Sequence, residues 1–585
     1  MNAISNQLSI QFNYEEIDSI FDFFILTTSD KYINGGAYTL DKPLDVFKAE
    51  SVVFDNSRSV FLMFKKGIIN RFELIGQIED EKISVRDVEA SELKDYILFR
   101  LFLYSLNNFN TDEIKFNNIT GKFYVIHPSW IAKNKKTFKA LNINVNQELY
   151  ISAEAATFTH LSAFKNKKEL YDYPKYEFSN KNGALKRVLD PKNDDVYVRK
   201  YLFGKRAEIA FFDFSPKNIK NNKVYFLYLT LNLLKEKFGE LFEFEFNTLN
   251  ISKRVEKSRD EKIDETIKLI FPFKALNLIN WSNSSEYDDE FNDILSLFTI
   301  GRLGNVSSDK KVKNDAYNLI YLHNKEYYEQ NKYNDPYKRK DKNEVIQHIT
   351  IEDCADKLID DNNAIYFTLL KELIIKDDII NSKKISLDDW ASFNFKGDYI
   401  FGKEKDGIHY FMIVKRDGSF ELYCKPNNFT VFENDLLNKC SDYLTDNKGK
   451  EKTVIANPLG DIIVISRTSA FTLPSKDIFI LEKISRSKED RDKYFSGLTD
   501  INLYNEEGKA HYNVGIKGAG MNTVIPKASI LYQVDVIEGN NFIEELLSTM
   551  AVSFVKYKSF TVMPYPIKYI NEYVINCEDI KNSKN

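Results

Sequence analysis

The chain is poor in the residues that staple, ligate or loosen a protein. Its 585 residues include only 4 cysteines. Cys354, Cys424, Cys440 and Cys577 are widely spaced and form no CxxC pair. Neither a disulfide framework nor a thiolate zinc site is read from them, and a reducing, cytoplasmic setting is expected. The 6 histidines are equally scattered and make no HExxH or other close ligand pair. Glycine (22) and proline (13) are sparse, which excludes long flexible linkers. No run of about 18 uncharged apolar residues occurs, so no membrane-spanning helix is expected. Residues 1–30 show no basic start before an apolar run, so no signal peptide is read there. Charge is balanced as well, at 81 Lys+Arg against 86 Asp+Glu, for a net charge of -5. A sequence-independent nucleic-acid coat is ordinarily basic, so any nucleic-acid site here has to be a local patch.

What is abundant is apolar and aromatic surface: 43% hydrophobic residues, with 45 Phe and 34 Tyr. At this length three or four domains are expected. Residues 1–204 mix alternating segments such as SVVFDNSRSVFLMF (51–64) and GKFYVIHPSW (121–130) with the helical run ELKDYILFRLFLYSL (92–106), an α+β pattern. Near 205 the pattern changes. AEIAFFDF (207–214), KVYFLYLTLNLLKEKFGELF (223–242) and FEFEF (242–246) read as strand, helix, strand, the opening of a Rossmann-like α/β unit over 205–395. The charged stretches SKRVEKSRDEKIDE (252–265) and SDKKVKND (308–315) read as solvated helix faces or loops. YNLIYLH (317–323) and VIQHIT (345–350) are further strands, and NAIYFTLLKELIIK (363–376) is a helix. From 396 to 585 two hairpin strands, a third strand, a helix and a fourth strand follow the order of an RNase H-like core. The Asp-Gly of KRDGS (415–419) is placed at a two-residue hairpin turn.

The C-terminal segment ASILYQVDV, a helix, then VKYKSFTVMPYPIKYINEYV resembles the end of a Piwi domain, where a Pro-x-Pro step leads into the final helix. Upstream, Tyr333, the run from Tyr337 through Lys338, then Gln347 and Lys376 resemble the Mid-domain residues with which Argonaute proteins hold a guide's 5′ end. The chemistry suits that role. A terminal phosphate needs converging cations and amide donors, and the first base needs an aromatic plate. Tyr333 or Tyr337 is the candidate plate, Gln347 the amide, and Lys338 and Lys376 the charge. By themselves these residues read better as an exposed turn and a helical Glu372–Lys376 pair; the order of elements and the Piwi-like tail reverse that preference. The resemblance implies an α/β multidomain protein, with an α+β N-terminal and linker-like region (1–204), a Rossmann-like Mid domain (205–395) and an RNase H-like Piwi domain (396–585). No PAZ module stands out.

Piwi domains that cut hold two divalent ions with carboxylates on adjoining strands. By resemblance, the first acid position is Glu404, after Gly402 and beside Lys403. The second is Thr468, within Arg467-Thr468-Ser469, and the last is Asn571. A threonine cannot supply the charge a magnesium site requires, so the carboxylate set reads as degenerate and no cleavage is expected. Arg416-Asp417-Gly418 spells the second motif but falls in a hairpin turn. The resemblance therefore implies a cleavage-inactive Argonaute-like protein that binds a short guide RNA or DNA and a complementary target. It would serve in defence against invading DNA or phage through a co-encoded effector. The one cofactor left open is a Mg2+ ion at the guide's 5′ phosphate. Two other readings stay open on residues alone. One is a metal-dependent nuclease using Glu404 and Asp417, and the other is a protein-interaction scaffold.

Overall fold

The computed structural model describes residues 1–582 except 29–48, 57, 79–81, 112–113, 120–121, 135, 165–169, 171–172, 180–182, 189–194, 202–208, 216, 257–274, 301–304, 332–335, 338–343, 356–357, 359–362, 388–389, 427–433, 446–451, 481–486, 507, 517–523 and 552–560. The first strand, β1 (Asn2–Phe12), pairs in the C-terminal sheet and bridges to Tyr150 of the N-terminal region. An antiparallel four-stranded sheet of Phe21–Thr28, Ser51–Asn56, Ser59–Lys65 and Ile83–Val88 follows it. Helix α1 (Asp95–Ser105) is buried at every residue after Asp95. A helix apolar on all sides has to lie inside, and this one is wedged between that sheet and the next.

The next sheet has seven strands: β2 (Lys115–Ile119), β3 (Lys122–Ile126), β4 (Thr137–Val145), β5 (Ile151–His160), β6 (Lys175–Ser179), β7 (Ala184–Val188) and β8 (Val196–Val198). Their order is β7-β6-β8-β5-β4-β3-β2. The Asn117 amide on β2 donates to Gly183 O at 3.3 Å and accepts from Leu185 N at 3.0 Å on the far edge strand. Those two bonds curl the sheet into a barrel. Gly183 has φ +63, and a Cβ there would meet Lys115 Cγ at 2.4 Å, so the seam needs glycine. Inside, Phe138 stacks on Phe158 (4.9 Å) and on Phe178 (4.0 Å), filling the barrel floor.

Helix α2 (Lys223–Phe238), capped by the Asn222 side chain, leads into the long strand β9 (Phe242–Val255). Four parallel strands come next: β10 (Ala275–Asn280), β11 (Val306–Ser308), β12 (Ala316–Leu322) and β13 (Val345–Thr350), in the order β11-β10-β12-β13. Helices α3 (Asp288–Ile300) and α4 (Asn363–Asp377) belong to this Rossmann-like unit. The large sheet adds β14 (Tyr399–Lys405), β15 (Ile408–Val414), β16 (Phe420–Pro426), β17 (Lys452–Ala456), β18 (Ile462–Leu473), β19 (Ile501–Glu506), β20 (Lys509–Val514) and β21 (Ile530–Glu538). With β1 and β9 they make a ten-stranded sheet, β1-β9-β19-β20-β21-β18-β17-β14-β15-β16. Helices α5 (Asp435–Thr445), α6 (Ile543–Met550) and α7 (Pro566–Asn582) accompany it. The Pro-Tyr-Pro step starts α7 at Pro566, where a missing N–H costs nothing.

The strand–helix–strand run at 207–246 does not open the Rossmann-like unit. Its second strand, β9, pairs with β1 and β19 in the large sheet, and the parallel sheet begins only at Ala275. The reason is legible in burial. FEFEF alternates, with one face in and one face out, as antiparallel strands do, whereas every residue of AYNLIYL in β12 is buried, as a covered parallel strand requires. The stretch expected to be a solvated helix or loop at 252–265 likewise begins inside β9, and its residues 257–265 lie outside the described residues. The KRDGS hairpin closes through Lys415 N to Ser419 O at 2.8 Å, so its loop has three residues with Gly418 at φ +84. The two-residue Asp-Gly turn is instead Asp406-Gly407, both at positive φ (52 and 73).

Arg254 fastens β9 to the segment before β19. Its guanidinium donates to Asp500 Oδ2 (2.8 Å from Nε), Asp492 Oδ1 (2.6 Å) and Thr499 Oγ1 (3.0 Å). These acids are mostly shielded, so truncation strands two carboxylates. Arg254→Met should destabilise the protein by roughly 2–3 kcal/mol in urea unfolding; an unchanged midpoint would show the network to be ornamental.

Candidate functional site

Helix α4 presents its last turn to the start of β13. Lys376, only 7% exposed, donates to Ile346 O at 2.7 Å and to Gln347 Oε1. Gln347 Nε2 in turn donates to Glu372 Oε2 at 2.6 Å. From the other side α7 contributes Lys568, 3.6 Å from Glu372 Oε1 and 2.6 Å from Glu572 Oε1. Two ammonium groups, two carboxylates and one amide thus meet in the seam between the Rossmann-like unit and the closing helix. Burial raises the pKa of Glu372, against the pull of Lys568. Burial also works against the Lys568 ammonium, but Glu572 and Glu372 outweigh it and hold its pKa above the usual range.

Of the five residues expected to hold a guide's 5′ end, the structure brings Gln347 and Lys376 together. Tyr333 and Lys338 lie outside the described residues. Tyr337 is a correction. Its ring packs 4.7 Å from His348 among Ile320, Leu322 and Ile346, and its hydroxyl donates to His323 O at 2.8 Å. Successive side chains of β13 point to opposite faces. Val345 and Ile349 face the α4 core with Gln347, while Ile346 and His348 face Tyr337. The sheet therefore stands between Tyr337 and Lys376.

Sequence reasoning missed Lys568 and Glu572, which only the folding back of α7 brings to the site. It also missed a cluster at the carboxyl ends of the parallel strands, where open α/β sheets bind ligands. There His323 Nδ1 lies 2.7 Å from Glu352 Oε1, Asn324 N donates to Glu352 Oε2 at 2.8 Å, and the Tyr327 ring stacks on His323 at 3.6 Å. The available signal was positional, since His323 and Glu352 each fall just past the end of a strand.

The three residues expected at the acid positions, Glu404, Thr468 and Asn571, do not converge. Glu404 Oε1 accepts from Gly407 N at 2.7 Å and so ties the β14–β15 turn. Thr468 Oγ1 donates to Leu531 O at 2.7 Å and accepts from Ala470 N at 3.1 Å. Strand β17 separates β14 from β18, which sets those strands about 10 Å apart. Asn571 meets Lys403 instead: the ammonium donates to its Oδ1 at 2.8 Å. Lys403 shares the face of Tyr399 and Phe401 against α7, and Glu404 turns to the other side. Gly402 is required by packing, because a Cβ there would lie 2.3 Å from the Phe411 ring. Asp417 accepts from Ser419 N (3.0 Å) and Ser419 Oγ (2.6 Å) within its turn. Among the described residues no group of three His, Cys, Asp or Glu is placed to hold a metal ion.

Between the barrel and the large sheet lie two adjoining cavities of about 470 and 530 Å³. Both are lined by Glu154 of β5, Lys223 of α2 and Lys527. Arg199 and Lys200 add positive charge to the first and Arg467 of β18 to the second. One carboxylate against five cations makes this a local basic patch in a chain of balanced charge.

No family model and no curated protein matches the chain. Among solved structures it is similar to Kluyveromyces polysporus Argonaute with a guide RNA, at 9% identity and a TM-score of 0.54, over 100% of this chain and 94% of that one. A. aeolicus Argonaute aligns at 10% identity with a TM-score of 0.36, over 97% of both chains. Aa-Ago with externally bound siRNA aligns at 10% identity with a TM-score of 0.39, over 98% of both chains. The first likeness shows that the fold is that of an Argonaute, an α/β assembly with a Rossmann-like unit followed by a large C-terminal sheet. Among the described residues no helix is long and apolar enough to cross a membrane.

Asp378, next to this site, gives it a measurable pH dependence. Its carboxylate accepts from Tyr569 Oη (2.8 Å), Ser386 N (2.9 Å) and Ser386 Oγ (2.6 Å), joining α4 to α7. Burial nevertheless raises its pKa from 3.8 to about 6. A carboxyl with a raised folded pKa contributes stability that is complete below 3.8 and lost as pH climbs through 6. Asp378→Asn should therefore gain on the parent protein by on the order of 3 kcal/mol between pH 4 and 7. Urea unfolding of both proteins across that range checks this; parallel pH curves would refute it.

Proposed function

We propose that this chain, built on an Argonaute-like fold, seats a short guide RNA or DNA, pairs it with a complementary target, and does not cut. The observation that carries the reading is the basic cleft between barrel and large sheet. A strand's phosphates need cations along a groove rather than at one point, and Arg199, Lys200, Lys223, Lys527 and Arg467 supply that groove in a protein of net charge -5. Sequence would be read by base pairing, so the cleft needs no base-specific side chains.

The guide's terminal phosphate belongs in the seam of Gln347, Lys376 and Lys568. Lys376 and Gln347 now satisfy each other, and a phosphate oxygen could replace either acceptor of the Lys376 ammonium. A magnesium ion does not fit there. Gln347 Oε1 already accepts from Lys376, and Glu372 accepts from Gln347 and faces Lys568. Two lysines thus provide the charge a metal would bring.

The non-cutting part rests on Glu404, Thr468 and Asn571. Each is engaged in a turn, a backbone contact or a lysine bond, and together they offer one carboxylate where two-metal chemistry needs several. Recognition without cleavage has consequences only through another protein, so a partner effector in defence against invading DNA or phage completes the proposal.

Binding of a labelled 5′-phosphorylated oligonucleotide tests it. Lys376→Glu with Gln347→Ala should weaken binding at least tenfold and erase any preference for a 5′ phosphate over a 5′ hydroxyl. Lys527→Glu should weaken both oligonucleotides alike. Unchanged binding in all variants would favour a protein scaffold instead. Guide-loaded protein given Mg2+ or Mn2+ should leave the target intact, and turnover abolished by Glu404→Ala would overturn the non-cutting reading.

A further inference from the structure

The four-stranded N-terminal sheet carries a groove that shares no lining residue with the basic cleft. Its volume is about 760 Å³. It lies between the strand Phe21–Thr28, the loop leading into the short helix Arg71–Gln77, and the end of the strand Ile83–Val88. Buried Phe21, Phe23 and Val88 contribute to its walls. Its charge is opposite to that of the cleft. Asp18, Asp22, Glu73, Asp87, Glu89 and Glu92 line it against Lys66 and Arg71, and Lys66 is already paired with Asp22 at 2.9 Å. Asp18 accepts from Ala90 N at 2.9 Å and Glu73 from Asn70 N at 2.9 Å, bonds that fix these carboxylates without neutralising them. The Asp87 carboxylate is exposed and makes no hydrogen bond or ion pair among the described residues. The acids are strung along the groove, and among the described residues no three of them meet closely enough to hold a metal ion. Nucleic acid is repelled by the same charge.

The helix beside the groove is apolar on its outer side. Leu74 is fully buried and holds the helix to the sheet, whereas Phe72 is 83% exposed and Ile75, three residues on, is exposed with it. Ile68 and Ile20 are also exposed, and Lys66 N donates to Ile20 O at 2.8 Å, which brings their two loops together. Single exposed apolar side chains are common. Four at one rim, bordered by charge, mark a surface that another protein covers. Phe72 is the most exposed large apolar side chain among the described residues. The helix itself does not ask for it, because Asn70 and Glu73 complete the capping box on their own.

We infer that this groove docks a basic segment of a partner protein, with lysine or arginine side chains among the carboxylates and apolar side chains against Phe72, Ile68 and Ile75. Charge complementarity draws the segment in and rejects acidic competitors. Desolvation of the aromatic ring then anchors it. Recognition of a target without cleavage needs an effector, and the groove gives that effector a place apart from the guide. Only the partner's role as effector, and not the docking itself, rests on the non-cutting reading.

A fluorescein-labelled peptide of about fourteen residues, with leucine and lysine at helical spacing, is titrated into the full-length protein and followed by anisotropy. The same peptide with glutamate for lysine is the control. The lysine peptide should bind, more weakly as salt rises, and the glutamate peptide should not. Phe72→Ser should weaken binding about tenfold and Asp87→Lys about fivefold. Both side chains are exposed, so both variants should melt as the parent protein does. Asp293→Lys, which changes an exposed acid on α3, should bind as the parent does. Equal binding of the two peptides, or unchanged binding by both groove variants, overturns the inference. So does a dimer of the parent protein that Phe72→Ser dissolves, since a second copy would then be the occupant. Phe72→Ser should bind the 5′-phosphorylated oligonucleotide as the parent does, so the guide reading and this one fail separately.

Discussion

Helix α4 is apolar around nearly its whole circumference, and the architecture follows from having to bury it. Leu369, Leu370, Leu373, Ile374 and Ile375 are each 5% exposed or less. At about 1.5–3 kcal/mol for each such side chain, no single neighbour suffices. The helix is therefore enclosed by the parallel sheet on one side and the closing helix α7 on the other, in a core that continues to Tyr399, Phe401 and Tyr410 of the large sheet. The polar residues on it and just after it are mostly shielded from water. Glu372, Lys376, Asp377 and Asp378 are forced inward and must be paired, by Gln347, Lys568, Tyr317 and Tyr569. A burial requirement thus creates the charged seam.

Alternation along β-strands then decides which side chains can act together. On β13 it sends Gln347 to the α4 seam and His348 to Tyr337. On β14 it sends Lys403 to α7 and Glu404 to the opposite face. In both cases neighbours in sequence are separated by the thickness of a sheet. The barrel obeys the same rule to a different end, collecting Tyr124, Asn142 and Glu154 into one inward row above an aromatic floor.

The basic cleft reconciles an acidic chain with an Argonaute-like fold. Its cations come from four separate places: the turn after β8, the first residue of α2, β18 and the segment before β21. They lie far apart in sequence, and only their assembly makes one patch. Among the described residues, the charge runs at 252–256 and 308–315 supply none of its lining.

The sequence alone determined individual elements such as the strand AYNLIYL and the helix NAIYFTLLKELIIK, which carry strong local pattern, but not the strands β19 and β20. It also named Gln347 and Lys376, which the structure brings together. Only the tertiary structure decided that β1 and β9 join the C-terminal sheet, that Tyr337 lies behind β13, and that Lys568 completes the seam. Strand pairing across hundreds of residues leaves no mark on local pattern. Which face a side chain takes is fixed by register and by what packs against it, and neither is written in its own neighbourhood.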